Sequence, residues 1–301
     1  MVCDAPHSGN VTGLEFVSEE HIVSSSSSGT VTLYKHHTNS QTLGYIRQWE
    51  RLHHHFDQPC PCTCLAVRDD IIVTAGEDGQ INALNANHKD PIRTLGKADS
   101  CTITGITFLK QFEFITVNNT GQLKTYDMRS KADEPAQTLS VTGDLTPLQC
   151  VDKHPSQAHI VATGGDDGTL GLWDLRQEKC PVSLLEAHSS TMWELKFHQT
   201  NPEHLFSCSD DGTVWHWDAT QINSLTMATD NPYAISDAGT NHSKTPRNPW
   251  LATENAKSKM EILSLLSEPS LPINTLDIVN QTLLCGSDAE TIYTVYLQAL
   301  R

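Results

Sequence analysis

The chain repeats one pattern of hydrophobic and polar positions: a short apolar strand, a tight turn, and an alternating strand that ends in an aromatic residue. In the fourth copy, residues 159–163 lead through Asp166, Asp167 and Gly168 into a strand that ends at Trp173. An Asp-Gly turn tolerates the positive φ of a two-residue primed hairpin turn, and the alternation gives one buried and one exposed face. The pattern predicts a β-hairpin that recurs along the chain.

The copies follow each other at a nearly constant spacing. The turn glycines stand at positions 29, 79, 121, 168 and 212, with Glu290 in the sixth place, and only the last interval is much longer than the others. Each copy also has an apolar upstream strand, predicted at 11–16, 64–67, 103–108, 148–151, 192–197 and 273–278. One such sheet cannot bury both faces, and radial stacking of sheets can. We therefore expect an all-β propeller with six recognisable repeats in a single domain, residues 1–301.

The long last interval contains about 30 residues beyond one repeat period. The stretch at about 220–253 supplies them, and it is rich in Asn, Ser, Thr and Pro without strand alternation. Such a composition is typical of a loop. We predict a long surface loop inserted between the fifth and sixth repeats.

Charge and composition restrict the possible partners. Acidic residues outnumber basic ones by 36 to 20, and a net charge of −16 repels a phosphate backbone, so we expect no direct nucleic-acid binding. Apolar runs are only a few residues long, whereas a membrane-spanning helix needs about 20, so no membrane insertion is expected. The start has no secretory signal, and nine scattered cysteines fit a reducing compartment, which indicates the cytosol or nucleus.

One segment contains residue types that bind metals: histidines 36–37 and 53–55 are followed by Cys60, Cys62 and Cys64. Pro59 and Pro61 interrupt regular strand geometry there, and no second Cys-x-x-Cys pair completes a tetrahedral site. We interpret the segment as a polar loop between the first two repeats and expect no metal or cofactor.

Paired carboxylates at 166–167 and 210–211 could suggest acid–base catalysis, but both pairs occupy the same place in a repeated turn. The sequence has no nucleophile elbow, phosphate loop, zinc-protease motif or dinucleotide fingerprint, so we expect no enzyme. Trp193 and Trp215 are unusual strand residues. Each could be an exposed binding anchor or, as is more common, could pack between sheets.

Two strands carry residues that resemble the WD-repeat family. Trp173 and Trp217 are each followed by Asp, and His188 precedes Gly212 at the separation where the family has its Gly-His dipeptide. The resemblance implies a structural hydrogen-bond network of His188, Ser207 or Ser209, Asp211 and Trp217. In other repeats the Trp position holds Tyr34, Leu84, Tyr126 or Val295, so a partial network is expected there.

The linkers between repeats, at 133–144, 150–155, 181–188, 192–194 and 201–206, resemble those of WD-repeat nucleoporins from the Y-shaped outer-ring complex of the nuclear pore. This resemblance implies a non-catalytic scaffold that docks other nucleoporins of that complex and supports pore assembly, nucleocytoplasmic transport and mRNA export. It also implies location at the nuclear pore and at kinetochores in mitosis. These nucleoporins form seven-bladed propellers, so we expect a ring that lacks its first blade and leaves apolar faces exposed.

An alternative function comes from residues 173–176, Trp-Asp-Leu-Arg, which resemble the box of WD-repeat substrate receptors of cullin-RING ubiquitin ligases. In that family the arginine reaches the adaptor, which would make Arg176 an adaptor contact. Residues 126–129 carry a weaker version of the box. The arginine could instead pair with an acidic residue of a neighbouring loop.

Overall fold

The structure, a computed structural model, describes residues 5–141, 146–177, 180–222, 248–252, 260–266 and 271–297. These residues form antiparallel strands with only short helical turns, so the prediction of an all-β chain of repeated sheets is confirmed. The chain divides into two compact units, residues 1–152 with 178–180 and residues 153–177 with 181–301.

The first unit contains three four-stranded sheets and a two-stranded ribbon. The first sheet has β1 (Val11–Phe16), β2 (His21–Ser26), β3 (Val31–His37) and β4 (Thr42–Trp49), and the ribbon has β5 (His54–His55) and β6 (Gln58–Pro59). The second sheet has β7 (Cys62–Arg68), β8 (Ile71–Gly76), β9 (Ile81–Asn85) and β10 (Arg93–Leu95). The third has β11 (Ile103–Lys110), β12 (Glu113–Asn118), β13 (Gln122–Asp127) and β14 (Gln137–Ser140), and β15 (Leu148–Lys153) follows it. Strands within each sheet are antiparallel neighbours in chain order.

The second unit continues the same plan. Its first strands, in pairing order, are β16 (Ile160–Gly165), β17 (Thr169–Asp174) and β18 (Ser183–Glu186). The next sheet has β19 (Met192–Phe197), β20 (His204–Ser209), β21 (Val214–Asp218) and β22 (Glu261–Ser264). The last has β23 (Ile273–Val279), β24 (Thr282–Ser287) and β25 (Thr291–Tyr296). All six predicted upstream strands are present, and β1 and β19 have the predicted bounds.

Buried apolar side chains lie between successive sheets. In the first unit, one cluster joins Val23 and Leu33 of the first sheet to Ile72 and Leu84 of the second. A cluster in the second unit likewise joins the β19–β22 sheet to the β23–β25 sheet, through residues that include Phe206. Within each unit, adjacent sheets therefore bury apolar faces against each other, as the repeat pattern requires.

The hairpin turns differ from the prediction. Five turn glycines have φ between 70° and 79°, and Glu290 has 55°, but the two residues before each glycine have no positive φ. In the second sheet the Gly79 amide donates to the Gly76 carbonyl at 3.2 Å. A primed turn needs positive φ at its central residues, so that prediction is wrong. These turns are type I-like, followed by one left-handed residue.

Packing explains why the left-handed residue is usually glycine. A Cβ on Gly168 would collide with the backbone carbonyl of His188 in the loop that follows. That same loop donates the His188 amide to the Gly168 carbonyl at 3.0 Å. The turn of one repeat is therefore held against the loop of the next by close main-chain contact, which leaves no space for a side chain.

The first and the last sheets expose large apolar side chains. In β1 of the first unit, Leu14 is 64 % exposed and Phe16 is 67 % exposed. In β25 of the second unit, Ile292 and Tyr296 are 72 % and 73 % exposed. Leu263 of β22, in the sheet before the last, is 60 % exposed as well, so exposure alone does not test the expected missing blade, and the open ring stays a prediction.

Most of the predicted 220–253 loop, residues 223–247 and 253, lies outside the described residues. Within the interval, Pro249–Leu251 form a 3-10 helix in which the Trp250 side chain is buried. The Trp250 indole N–H donates to the Pro202 carbonyl at 2.8 Å, and its ring meets Phe197 edge-on at 5.5 Å. This part of the interval packs into the second unit and is not at the surface.

Candidate functional site

The fifth repeat brings together His188, Ser207, Asp211 and Trp217. The Trp217 indole N–H donates to Ser207 Oγ at 3.0 Å, and Ser207 Oγ lies 2.8 Å from His188 Nε2. His188 Nδ1 lies 3.3 Å from Asp211 Oδ2 and 2.9 Å from Thr213 Oγ1. Ser209 lies outside this chain of side-chain bonds: its hydroxyl donates to the Ser190 carbonyl and accepts the Asp211 amide, each at 3.1 Å. The network thus joins β20 and β21 to the loop before β19.

The donors along this chain can be assigned from the Trp217 indole, which can only donate. Because Ser207 Oγ accepts the indole N–H, its own hydrogen is available to donate to His188 Nε2. His188 then carries its hydrogen on Nδ1, which faces Asp211. Burial lowers the pKa of His188, so the ring is neutral at pH 7. Burial alone would raise the pKa of Asp211, but hydrogen bonds from the Thr213 side chain and the Ser189 amide outweigh burial. The pKa of Asp211 is therefore lowered, and the carboxylate is ionised.

Ser207, His188 and Asp211 are the residue types of a catalytic triad, but their surroundings indicate a structural role. Ser207 is 0 % exposed, and its oxygen is occupied by the Trp217 N–H. A nucleophilic serine must reach a substrate carbonyl from an open surface. The arrangement can hold strands and a loop in register, and it offers no access for a substrate.

The second repeat contains a related network that the sequence analysis missed. His53 Nδ1 lies 3.0 Å from Asp78 Oδ1, and His53 Nε2 lies 3.0 Å from Thr74 Oγ1. The His53 side chain is fully buried, so the interpretation of this residue as part of a polar loop is wrong. Its position could have identified it, because it precedes Gly79 at nearly the separation of His188 from Gly212, and Asp78 directly precedes that glycine. The absence of a tryptophan, replaced here by Leu84, concealed the pattern.

The suspected metal ligands around this loop do not converge. His54 and His55 are exposed, whereas Cys60 and Cys62 are buried. Burial raises the pKa of the Cys60 thiol to about 11, which keeps it protonated and a poor ligand. Within the described residues, no group of three or more His, Cys, Asp or Glu side chains could hold a metal ion.

The third repeat replaces the histidine with a buried carboxylate. Asp99 precedes Gly121 in the loop where the second and fifth repeats have their histidine, and it forms an ion pair with Lys124 at 2.9 Å. Its side chain is 0 % exposed, and that of Lys124 is 12 % exposed. Asn118 also donates its amide to Asp99 Oδ2 at 2.9 Å. Here a charge pair between β13 and the loop before β11 replaces the histidine–aspartate network.

Arg176, the candidate adaptor contact, pairs with an acid of its own box. Its Nε and Nη2 donate to the two carboxylate oxygens of Asp174, at 2.8 and 2.6 Å. This arginine lowers the pKa of Asp174. Arg129 forms the same fork with Asp127, at 2.9 and 2.8 Å, in a repeat that has no tryptophan. The recurrence indicates that the arginine stabilises the turn locally.

The acidic turn pairs also have local partners. Asp167 Oδ1 accepts the Thr169 amide at 3.0 Å, and Asp211 Oδ1 accepts the Thr213 amide at 2.9 Å. In both turns the aspartate side chain accepts the backbone amide of the residue two positions later, which is how aspartate stabilises a turn.

The two unusual strand tryptophans differ. The Trp215 ring packs against the His188 ring, with 5.2 Å between the ring centres, whereas Trp193 is 41 % exposed.

A buried histidine pair lies in the β20–β21 hairpin. His204 Nδ1 and His216 Nε2 are 3.0 Å apart, and the His216 ring stacks on Phe206 at 4.8 Å. Burial, with the neighbouring His204 charge as a smaller cause, lowers the pKa of His216 to about 4. Burial also lowers the pKa of His204, although Asp218 opposes that shift. Both rings are therefore neutral in the folded chain at pH 7.

This pair predicts sensitivity to mild acid. Unfolded histidine takes up a proton below about pH 6.5, whereas folded His216 does so only near pH 4, so stability is lost as the pH falls through that window. We expect the free energy of unfolding to fall by about 2 kcal/mol through this one residue between pH 7.5 and about pH 5. Urea unfolding at the two pH values measures it. A His216→Gln variant should lose less between them, and an equal loss would contradict the assignment.

Within the described residues, the structure holds no helix with the length and apolar character that a bilayer crossing requires.

The chain is similar to WD-repeat proteins and to nucleoporins. The family model described as WD domain, G-beta repeat matches residues 134–174 and 179–218. The chain is 47 % identical to nucleoporin Nup43 of Homo sapiens, over 97 % of this chain and 81 % of that protein. It is 46 % identical to nucleoporin Nup43 of Mus musculus with the same coverage. The nuclear pore complex protein nup43 of Dictyostelium discoideum is 29 % identical over 50 % of this chain and 36 % of that protein.

Proposed function

Because the chain belongs to the Nup43 family of WD-repeat β-propeller nucleoporins, we propose that it is a non-catalytic scaffold subunit of the nuclear pore complex. The observation that carries the proposal is the identity to human Nup43, which extends over 97 % of the chain. The hydrogen-bonded networks support the same function, because they fix loops against strands and are closed to a substrate. A rigid surface made of such sheets is suited to hold other proteins in place.

The finer part of the proposal concerns partners and place. We expect the chain to bind other nucleoporins of the Y-shaped outer-ring subcomplex and to support pore assembly, nucleocytoplasmic transport and mRNA export. It would reside at the nuclear pore and, in mitosis, at kinetochores. The net charge of −16 favours protein partners and opposes direct binding to nucleic acid.

The ubiquitin-ligase alternative has no such support. The relatives that match nearly the whole chain are named as nucleoporins. The Arg176 fork to Asp174 is repeated by Arg129 and Asp127 in the weaker version of the box, so pairing within the turn itself accounts for both arginines without an adaptor.

Native purification of the tagged chain from cells, followed by mass spectrometry, tests the function. We expect outer-ring nucleoporins to co-purify with the parent chain and equally with an Arg176→Ala variant. Arg129→Ala tests the weaker version of the box in the same way, because Arg129 forms the same fork in another repeat. Recovery of a cullin adaptor that Arg176→Ala releases, without any nucleoporin, would overturn the proposal.

A further inference from the structure

Trp193 occupies a bulge in the first strand of its sheet. The register of β19 against β20 shifts between Met192 and Glu194, which leaves Trp193 as the extra residue. Its side chain is 41 % exposed, although tryptophan is a large apolar residue. Bulges often redirect a side chain away from the sheet, and they recur next to functional sites.

The same bulge recurs in the three sheets of the first unit, where it has a structural purpose. The extra residues there are Thr12, Thr63 and Thr104. Each threonine hydroxyl donates to a main-chain carbonyl in the next first strand, those of Cys62, Ile103 and Leu148 respectively. An indole at this position in β19 has no hydroxyl with which to make such a bond. The tryptophan therefore replaces a structural residue with an exposed aromatic one, the residue type that most often anchors a protein interface.

Acidic turns lie on both sides of the segment that leads into Trp193. Thr191 Oγ1 donates to Asp166 Oδ1 at 3.0 Å, and Ser190 Oγ donates to Asp210 Oδ2 at 3.2 Å. Thr191 and Ser190 precede Trp193 by two and three residues, and extended chain spans about 3.5 Å per residue, so both turns are bonded to the chain within about 10 Å of the tryptophan. Segments 164–170, 186–193 and 207–214 together contain five carboxylates and no lysine or arginine. This part of the second unit is both aromatic and strongly negative.

The nearest basic residue on the same strand is already paired. Lys196 lies 3.1 Å from Glu194 and 3.2 Å from Asp277. Glu194 is occupied as well, because its Oε2 accepts the Leu276 amide and the Thr275 hydroxyl. The Asp166 and Asp210 side chains accept hydroxyl bonds and are exposed to solvent. Because an ionised carboxylate has about four acceptor sites, an exposed one can accept further donors from a cation outside the chain.

We propose that Trp193, Asp166 and Asp210 form a docking surface for an arginine-containing segment of a partner protein. The proposal rests on the scaffold function and names the chemistry of one partner contact. Arginine fits better than lysine, because a flat guanidinium stacks on an indole and still directs its N–H groups to a carboxylate. A partner with a basic, extended segment would place one arginine on Trp193 and pair it with the turns beside it.

Fluorescence anisotropy with a defined probe tests the surface. The probe is a short labelled peptide in which arginine alternates with glycine and serine, titrated with the full purified chain at about 0.15 M salt. We expect Trp193→Ala to weaken binding about tenfold, as removal of a partly desolvated contact between a cation and an indole ring should do. The double variant Asp166→Asn and Asp210→Asn should also weaken binding and reduce its dependence on salt. A lysine version of the peptide should bind more weakly than the arginine version.

Matched controls separate this surface from general attraction to an acidic protein. Phe56 is 98 % exposed and lies in the first unit, so Phe56→Ala removes an exposed aromatic residue elsewhere. Glu19→Gln with Asp57→Asn removes two exposed carboxylates of the same unit. Neither control should change the affinity. Unchanged binding by Trp193→Ala, with an unchanged urea midpoint, would overturn the proposal, as would equal losses in the controls. The assay contains only the purified chain and the peptide, with no other nucleoporin, so its outcome is independent of the co-purification test of scaffold function.

Discussion

Trp217→Ala is expected to lower the free energy of unfolding by about 3–5 kcal/mol, the usual cost of removing a buried tryptophan from a core. Trp217 is 0 % exposed and is one end of the hydrogen-bond chain through Ser207 to His188. The substitution leaves a cavity and also removes the donor that orients Ser207. Urea unfolding followed by circular dichroism gives the change, provided that the slope with denaturant is the same for both proteins.

Two further variants separate the contributions. Trp217→Phe keeps much of the packing and loses the N–H bond to Ser207, so a smaller loss of about 1–2 kcal/mol is expected. Trp193→Ala removes the same residue type from an exposed position and should change stability by less than about 0.5 kcal/mol. If Trp217→Ala cost no more than Trp193→Ala, the network would not contribute to the stability of the fifth repeat.

Lys124→Met is expected to destabilise the third repeat by about 3–5 kcal/mol, the usual cost of leaving one member of a buried ion pair without its partner. Lys124 lies 2.9 Å from Asp99, whose side chain is fully buried. Burial raises the pKa of Asp99, and the bonds from Asn118 and Lys124 more than offset it, so the group is ionised in the folded chain. Without Lys124, the carboxylate has to take up a proton or remain charged in the interior.

A double-mutant cycle tests this explanation. Asp99→Asn combined with Lys124→Met removes both charges, and this pair should cost less than Lys124→Met alone. Lys110→Met is the matched control, because Lys110 forms a 2.7 Å pair with Glu113 at the surface of the same sheet. An exposed pair contributes little, so a loss below about 1 kcal/mol is expected there. Additive losses in the cycle would contradict the assigned coupling.

The sequence pattern predicted the strands well because alternation and spacing are local properties. The upstream strands were predictable because a run such as 192–197 can bury only one face, and the glycine positions because left-handed backbone favours glycine. The type of turn was not predictable. An Asp-Gly pair is compatible with a primed turn and also with a type I turn followed by a left-handed glycine, and the backbone angles of the folded chain distinguish the two.

The candidate site shows the same division. His188, Ser207 and Trp217 could be placed from one repeat, because a Trp-Asp strand end and a histidine at a fixed distance accompany each other. His53 was missed since its repeat has no tryptophan. Asp99 and Lys124 were missed since the third repeat joins its loop to its strand by an ion pair and not by a histidine. Trp250 was missed because it lies in a stretch with no alternation. The roles of these residues depend on partners that are distant in sequence, and a local sequence pattern does not identify those partners.

The threonine bulges of β1, β7 and β11 have a mechanical consequence. Each threonine hydroxyl is one bond from Cβ and donates to the backbone of the first strand of the following sheet. Adjacent sheets are therefore connected by a very short side chain that has little freedom to move. A lateral pull on β1 is passed to β7, from β7 to β11, and from β11 to β15, as tension along main-chain atoms. In this direction the first unit behaves as a stiff strip that spreads a load over several sheets and does not concentrate it in one.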